Sequence, residues 1–113
     1  MVKLVAQFRR PAHPGQLLAD VVGLVLPQCR TIPGVQRIEL ASTSGPLVDV
    51  GAIQGHKGDR RGPPFLIAEL YFADRDAFEA ALATPQAEVA LGKLLDDDNR
   101  EVHLFLADVH PQH

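Results

Sequence analysis

The chain has 113 residues, of which 46% are hydrophobic and 22% are charged, together with one cysteine and a net charge of −3. Its length fits one domain and its apolar content fits a folded globule, while the single cysteine excludes a disulfide framework and a multi-cysteine zinc site. The acidic balance argues against a nucleic-acid partner. No apolar run approaches the ~20 residues of a membrane span, and the strand-like N-terminus differs from a signal peptide. We therefore expect a cytoplasmic protein without a membrane partner.

The first half of the chain contains two predicted strands with a helix between them. Side chains alternate over residues 2–8 and over residues 35–42 with the period of two that indicates a half-buried strand. Residues 16–30 have helical spacing, and Pro27 should kink or fray the last turn. One row of this helix consists of Leu17, Val21, Leu24 and Gln28. Further apolar residues widen its stripe, so we expect the 44–64 segment or another subunit to cover them; they are Leu18, Val22, Val25 and Leu26.

A long glycine-rich connection over residues 44–64 leads into the second half, and such a length is typical of functional or mobile loops. Residues 65–72 alternate most clearly and are predicted to form the third strand. Asp74 is a good N-cap for a helix over residues 75–83.

The rest of the chain completes the pattern. Thr84-Pro85 is a second helix start, for a segment over residues 85–95, and residues 102–109 are predicted to form the last strand. The domain then spans residues 1–109, and residues 110–113 form a frayed tail.

The elements therefore run strand, helix, strand, strand, helix, strand, which predicts a ferredoxin-like βαββαβ fold of the α+β class. Its antiparallel four-stranded sheet has the order 4-1-3-2 and carries both helices on one face. The opposite face is expected to present Lys3, Val5, Gln7, Arg37, Glu39, Phe65, Ile67, Glu69, Tyr71, His103 and Phe105. That face is too apolar to lie open to water. We expect two copies to pack these faces together as a homodimer that encloses a partly polar cavity.

The stretch from Pro63 to Ala81, which includes the third strand, resembles the signature of the EthD family, named for ethyl tert-butyl ether degradation. The start Val2-Lys3-Leu4-Val5 and the turn Ile32-Pro33-Gly34-Val35 are similar too. The resemblance implies a dimeric α+β barrel, in the superfamily that also holds antibiotic-biosynthesis monooxygenases and chlorite-dismutase-like proteins. Many EthD-like chains carry a histidine-x-proline in the first helix. This sequence has Val25-Leu26-Pro27 there, so any chemistry that depends on the histidine is absent.

Glu69 is the strongest candidate for chemistry, because a mid-strand carboxylate between Ile67 and Tyr71 is partly desolvated and needs a cation, for which Lys3 is the expected source. It would act as a general base or ligand anchor, or form only an interface ion pair. Tyr71 would donate a hydrogen bond to a ligand, or would only seal a pocket. His103 would be an acid–base group, or would merely be hydrogen-bonded. The candidate catalytic residues are Glu69, Tyr71 and His103. The candidate ligand-binding residues are Lys3, Gln7, Arg37, Ile67 and Phe105.

No metal and no cofactor are expected, because the five histidines lack the spacing of a ligand set. Two functions stay open. The first is a protein that binds a small apolar or aromatic molecule in the barrel, with a cofactor-independent monooxygenase-like or isomerase-like activity left undecided. The second is a non-catalytic dimerisation or accessory module without a ligand. The mixed sheet face favours the first.

Overall fold

The computed structural model describes residues 1–43, 64–95 and 101–112. Its strands are β1 (Val2–Phe8), β2 (Arg37–Ser42), β3 (Leu66–Phe72) and β4 (Val102–Asp108). Its helices are α1 (Pro14–Asp20), α2 (Leu26–Cys29), α3 (Arg75–Leu82) and α4 (Pro85–Leu95), and a π-helical segment (Val21–Val25) joins α1 to α2. The predicted 44–64 connection lies outside the described residues except for Pro64.

The four strands form one antiparallel sheet in the order β2-β3-β1-β4. This order confirms the predicted ferredoxin-like α+β fold. Strands β1 and β3 are central, whereas β2 and β4 form the two edges. The central strands are therefore the places where a polar side chain has least access to water from the side.

One face of the sheet packs against the helices and forms the core. Side chains on a strand point alternately to the two faces, and the central strands contribute alternate residues to this core: Val2, Ala6, Phe8, Leu66, Ala68, Leu70 and Phe72. The helical layer contributes Leu17, Val21, Val25, Leu26, Cys29, Ala81, Ala87, Ala90 and Leu94. Further strand residues are partly buried against the same core: Leu4, Ile38, Leu40, Val102, Leu104 and Leu106. The residues that alternate with these point to the other face, as predicted.

The first helical region departs from regular geometry at its π-helical segment. The Leu26 N–H bonds the Val21 carbonyl, five residues back. The π-helical turn directly precedes Pro27, which has no N–H to donate. The helix nevertheless continues through the proline and does not fray there. The wider turn moves the core-facing position by one residue: Val25 is 2% exposed and Leu24 is 53% exposed. The predicted row through Leu24 is therefore wrong.

The outer side of this helix carries Leu18 and Val22, which are exposed in the single chain. Their cover by the 44–64 segment or by another subunit stays a prediction. For Val25 and Leu26 the same expectation is wrong, because both are buried in the core of the single chain. The second helical region follows its predicted start signals. The Ala77 N–H donates to Asp74 Oδ1 at 2.8 Å, which confirms the N-cap, and α4 begins at Pro85 as predicted. None of the helices in the described parts of the chain is long and apolar enough to cross a membrane.

Candidate functional site on the helix-free face

The sheet face away from the helices, here called the helix-free face, presents three rows of four side chains. Each row crosses the sheet from β2 through β3 and β1 to β4. The first row is Arg37, Tyr71, Lys3 and Ala107; the second is Glu39, Glu69, Val5 and Phe105; the third is Ala41, Ile67, Gln7 and His103. Charged groups are gathered towards β2 and β3 in the first two rows, and apolar groups occupy most of the remainder.

All eight predicted site residues lie on this face, as the alternation indicated. They are Lys3, Gln7, Arg37, Ile67, Glu69, Tyr71, His103 and Phe105. The sheet does not bring them to a single point. Their roles in catalysis and ligand binding stay predictions.

Glu69 is paired with Lys3, as predicted. Lys3 Nζ forms a salt bridge with Glu69 Oε2. The contact runs diagonally between β1 and β3, because Lys3 lies opposite Tyr71 in the register. The Lys3 and Glu69 side chains are 29% and 20% exposed, so the pair is partly desolvated. The hydrogen bond to Glu69 raises the pKa of Lys3 above its usual value.

A second set of contacts joins Glu39, Tyr71 and Arg37. Tyr71 Oη donates a hydrogen bond to Glu39 Oε2 at 3.0 Å, and Arg37 Nε lies 3.3 Å from Glu39 Oε1. The Arg37 guanidinium also lies 4.0 Å from the centroid of the Tyr71 ring, in cation–π geometry. The interaction with Tyr71, supported by the nearby Glu39 charge, raises the pKa of Arg37. Tyr71 is buried beneath these neighbours although it lies on the open face.

Glu39 is the residue that the choice of candidate site residues missed. It lies directly opposite Glu69, and like charges in that position destabilise a sheet unless they are neutralised. Lys3 neutralises Glu69, and Arg37 neutralises Glu39. We call these four side chains together with Tyr71 the carboxylate cluster; it holds two cations and two anions. Alternation in β2 placed Glu39 on this face, but only the β2–β3 register reveals that the two carboxylates meet.

His103 lies apart from the carboxylate cluster. It is exposed on the β4 edge, opposite Gln7, and its ring packs edge-on against Phe105 with centroids 5.6 Å apart. Two strand spacings separate β4 from β3, which amounts to roughly 10 Å. Within one chain His103 is therefore too far from Glu69 to share a proton with it.

An apolar cavity of about 40 Å³ lies on the other side of the sheet, between the strands and the helices. A cavity that holds benzene has about 150 Å³, so this space is too small for an aromatic ring. Val25 and Cys29 both line it. Burial raises the pKa of the Cys29 thiol to about 11, and this thiol is therefore neutral near pH 7. The cavity offers packing space and no acid–base group.

No three His, Cys, Asp or Glu side chains lie close enough together to hold a metal ion within the described residues. The absence of a metal and of a cofactor stays a prediction.

The fold is shared with proteins of known structure, although no family model and no curated protein matches the sequence. An EthD family protein from Bacillus halodurans is 18% identical, with a TM-score of 0.77 over 97% of this chain and 99% of that chain. HapK from Hahella chejuensis is 17% identical, with a TM-score of 0.64 over 100% and 96%. SnoaB from Streptomyces nogalater, a cofactor-independent oxygenase, is 17% identical, with a TM-score of 0.63 over 98% and 94%. The resemblance to the EthD family is thus confirmed at the level of the fold.

Proposed function

We propose that this protein is a cytoplasmic homodimer, that its two helix-free faces pack together, and that a small apolar or aromatic molecule binds between them. The observation that carries the proposal is the composition of that face. Ile67 and Phe105 form an apolar area beside the carboxylate cluster. Phe105 is 37% exposed in the single chain and Ile67 is half-buried, whereas Val5 on the same face is already buried, at 5% exposure. Apolar area of this kind on a sheet surface marks an interface or a ligand site.

Two further observations support this arrangement. The carboxylate cluster is formally neutral, so two copies of the face carry no net repulsion when they meet. The cavity on the helical side is too small for an aromatic ring, which leaves the space between the two faces as the better place for a ligand. The similarity in fold to SnoaB, a cofactor-independent oxygenase, is consistent with small-molecule chemistry.

Within this proposal the apolar residues hold the body of the ligand, and the carboxylate cluster contacts its polar group. Glu69 is the group that would accept a proton from the ligand if the protein is an enzyme. It must first loosen its salt bridge to Lys3. An isomerase-like or cofactor-independent monooxygenase-like reaction would begin with such a proton transfer.

One observation favours the alternative, a non-catalytic dimerisation module without a ligand. Both carboxylates and the Tyr71 hydroxyl are already bonded inside the cluster: Glu69 to Lys3, and Glu39 to Tyr71 and Arg37. A network that is complete in itself suits an interface as well as a binding site.

Sedimentation equilibrium at micromolar concentration tests the dimer, and a folded monomer would refute it. Methyl NMR on the dimer then tests the ligand, with indole and 1-naphthol as probes. We expect shifts of the Ile67 and Val5 methyl signals and unchanged signals for Leu17 in the helical core. A dimer whose helix-free methyl signals ignore both probes up to millimolar concentration would favour the non-catalytic module.

Variants sharpen the assignment of Glu69. Glu69→Gln should weaken probe binding, because it removes the charge that contacts the polar group of the ligand. Glu88→Gln, an exposed acid on α4, is the matched control and should leave binding unchanged. Equal affinities for the two variants would remove Glu69 from the site.

A further inference from the structure

We propose that the side-chain amide of Gln7 determines which ligands bind on the helix-free face, and that it selects planar bicyclic aromatic molecules with a lactam edge. A lactam edge places a ring N–H donor next to a carbonyl acceptor. The inference rests on the proposed small-molecule site and names the class of ligand for it. It depends on the hydrogen-bonding groups that the single chain leaves available on this face.

The polar side chains of the helix-free face differ in whether they already have partners. Those of the carboxylate cluster bond one another. The Gln7 side chain, in contrast, forms no hydrogen bond with any residue in the described ranges. Its amide has two N–H donors and a carbonyl acceptor. Gln7 can therefore give a ligand a donor and an acceptor without breaking an existing contact.

The position of Gln7 makes its hydrogen bonds important for binding. It lies on the central strand β1, in the third row of the face, between Ile67 on β3 and His103 on β4. The side chain is half-buried in the single chain. A ligand that covers it removes its remaining water, and a covered donor or acceptor without a partner weakens binding. The ligand must therefore bond both ends of the amide.

The neighbours of Gln7 favour an aromatic, carbon-rich ligand. Ile67 borders it on one side, and on the other side the His103 ring packs edge-on against Phe105, with centroids 5.6 Å apart. The two sides are two strand spacings apart, roughly 10 Å, which is wide enough for a bicyclic ring system. A purine would bring further ring nitrogens against these side chains without partners, and such burial is unfavourable.

The distance to the carboxylate cluster fits the length of the same ring system. Glu69 lies directly opposite Val5, so Gln7 is its diagonal neighbour on the face. Diagonal neighbours in a sheet are about 7–8 Å apart, which is about the length of two fused aromatic rings. With the lactam edge on Gln7, the far ring lies beside Glu69. A polar substituent on that ring then contacts the carboxylate cluster.

Two parallel hydrogen bonds give the selectivity. The Gln7 amide donates an N–H to the lactam carbonyl and accepts the lactam N–H on its own carbonyl oxygen. Glutamine recognises the adenine edge with the same two-point geometry. Methylation of the lactam nitrogen removes the donor and leaves the Gln7 oxygen unpaired. We therefore expect the methylated ligand to bind at least about tenfold more weakly.

NMR titration with matched probes tests the proposal: 2-quinolone, N-methyl-2-quinolone and quinoline. The Ile67 methyl signal reports binding at the site, and the Gln7 side-chain NH2 signals report the hydrogen bonds. We expect 2-quinolone to bind at least about tenfold more tightly than N-methyl-2-quinolone and to shift the Gln7 signals. Quinoline has an acceptor, no donor and no added methyl group. It should bind as weakly as the methylated probe, which separates the lost hydrogen bond from a steric clash.

Variants distinguish selection by Gln7 from a structural role. Gln7→Leu should abolish the preference, so that 2-quinolone and N-methyl-2-quinolone bind with equal affinity. General damage to the site would weaken both probes and keep their ratio. Gln86→Leu, at an exposed glutamine on α4, is the matched control and should keep the preference of the wild type. A preference that persists in Gln7→Leu would overturn the inference.

The wild-type protein alone also decides the matter, whether or not Gln7→Leu folds. Shifts of the Ile67 signal with equal affinities for the three probes would overturn the inference and leave the proposed site intact. Unchanged Gln7 NH2 signals at saturating 2-quinolone would have the same meaning, because the amide would then be bonded elsewhere. An Ile67 signal that responds to no probe up to millimolar concentration would overturn both the inference and the proposed site.

Discussion

The Lys3–Glu69 salt bridge allows a quantitative test of the carboxylate cluster. The perturbation is a double-mutant cycle that combines Lys3→Met with Glu69→Gln. Each substitution removes one charge and keeps a side chain of similar length. The cycle isolates the coupling between the two residues, because effects that each substitution has on its other neighbours cancel.

The exposure of the pair sets the expected magnitude. Exposed ion pairs contribute about 0.2–1 kcal/mol, and breaking a buried pair costs about 3–5 kcal/mol. Lys3 and Glu69 are 29% and 20% exposed, which places them between these limits. We expect a coupling of about 1–2 kcal/mol in the free energy of unfolding.

The two single variants should differ. Lys3→Met leaves Glu69 facing Glu39, and among the described residues Arg37 remains to offset the repulsion. We therefore expect a loss of about 2–3 kcal/mol. Glu69→Gln leaves a lysine whose long stem can carry its ammonium group towards water, so we expect a loss of about 1 kcal/mol.

Urea unfolding followed by circular dichroism measures all four proteins. One protein concentration is used, because the proposed dimerisation would contribute to the apparent stability. Losses that add within about 0.5 kcal/mol would refute the coupling. A larger loss for Glu69→Gln than for Lys3→Met would refute the argument from the facing carboxylates.

The pH dependence has a definite sign. Hydrogen bonding to Glu69 raises the pKa of Lys3 above its ordinary value of 10.5. The stabilisation from the pair is therefore complete below the pKa of lysine in the unfolded chain and disappears as the pH rises through the higher folded-state value. The stability difference between wild type and Glu69→Gln should persist at pH 9 and shrink in strongly alkaline solution.

Three other regions give separate tests. At pH 8 the Cys29 thiol, with its pKa raised from 9.0 to about 11, should react with a disulfide reagent about 100-fold more slowly than in urea-unfolded chain; equal rates would contradict its burial. Val25→Ile should stabilise the fold by up to ~1 kcal/mol, because the added methyl group fills the 40 Å³ cavity. Val25→His should destabilise the fold increasingly as the pH falls below ~6.5, because the buried imidazole must stay neutral. A free energy of unfolding that does not change with pH in this variant would contradict the second prediction. Gly92→Ala should stabilise α4 by about 1 kcal/mol, because the new methyl group enters open space. Gly34→Ala should destabilise the turn, because its φ of +91° is unfavourable for any residue with a Cβ atom. Thermal unfolding compares the two variants with the wild type.

Local signals predicted most of the fold. Alternation over residues 2–8 corresponds to β1 without a shift in its ends, because a strand with one buried face needs every second side chain to be apolar. Asp74 and Thr84-Pro85 marked the two later helix starts, because capping depends on residues three positions away at most. The error at Leu24 has a different origin. A π-helical turn changes the residue period, and nothing in the apolar pattern distinguishes it from a regular helix.

The candidate site was predictable as a face but not as a set of contacts. Alternation assigns Glu39 and Glu69 to the same side of the sheet, whereas their direct pairing depends on the β2–β3 register. A hairpin with a tight turn would fix that register from its sequence. The connection over residues 44–64 is too long for a turn rule of this kind to predict the register. The Lys3–Glu69 contact could be predicted from the sequence, because both residues lie on central strands and carry opposite charges.

In the proposed dimer, the two parts of the helix-free face would contribute differently to association. Ile67 and Phe105 would supply the apolar area that is buried on association, whereas Val5 is already buried in the single chain, at 5% exposure. The carboxylate cluster contributes little net attraction, because its charges already neutralise one another. In the proposed dimer the apolar residues would therefore supply most of the favourable free energy of association, and the carboxylate cluster would add little.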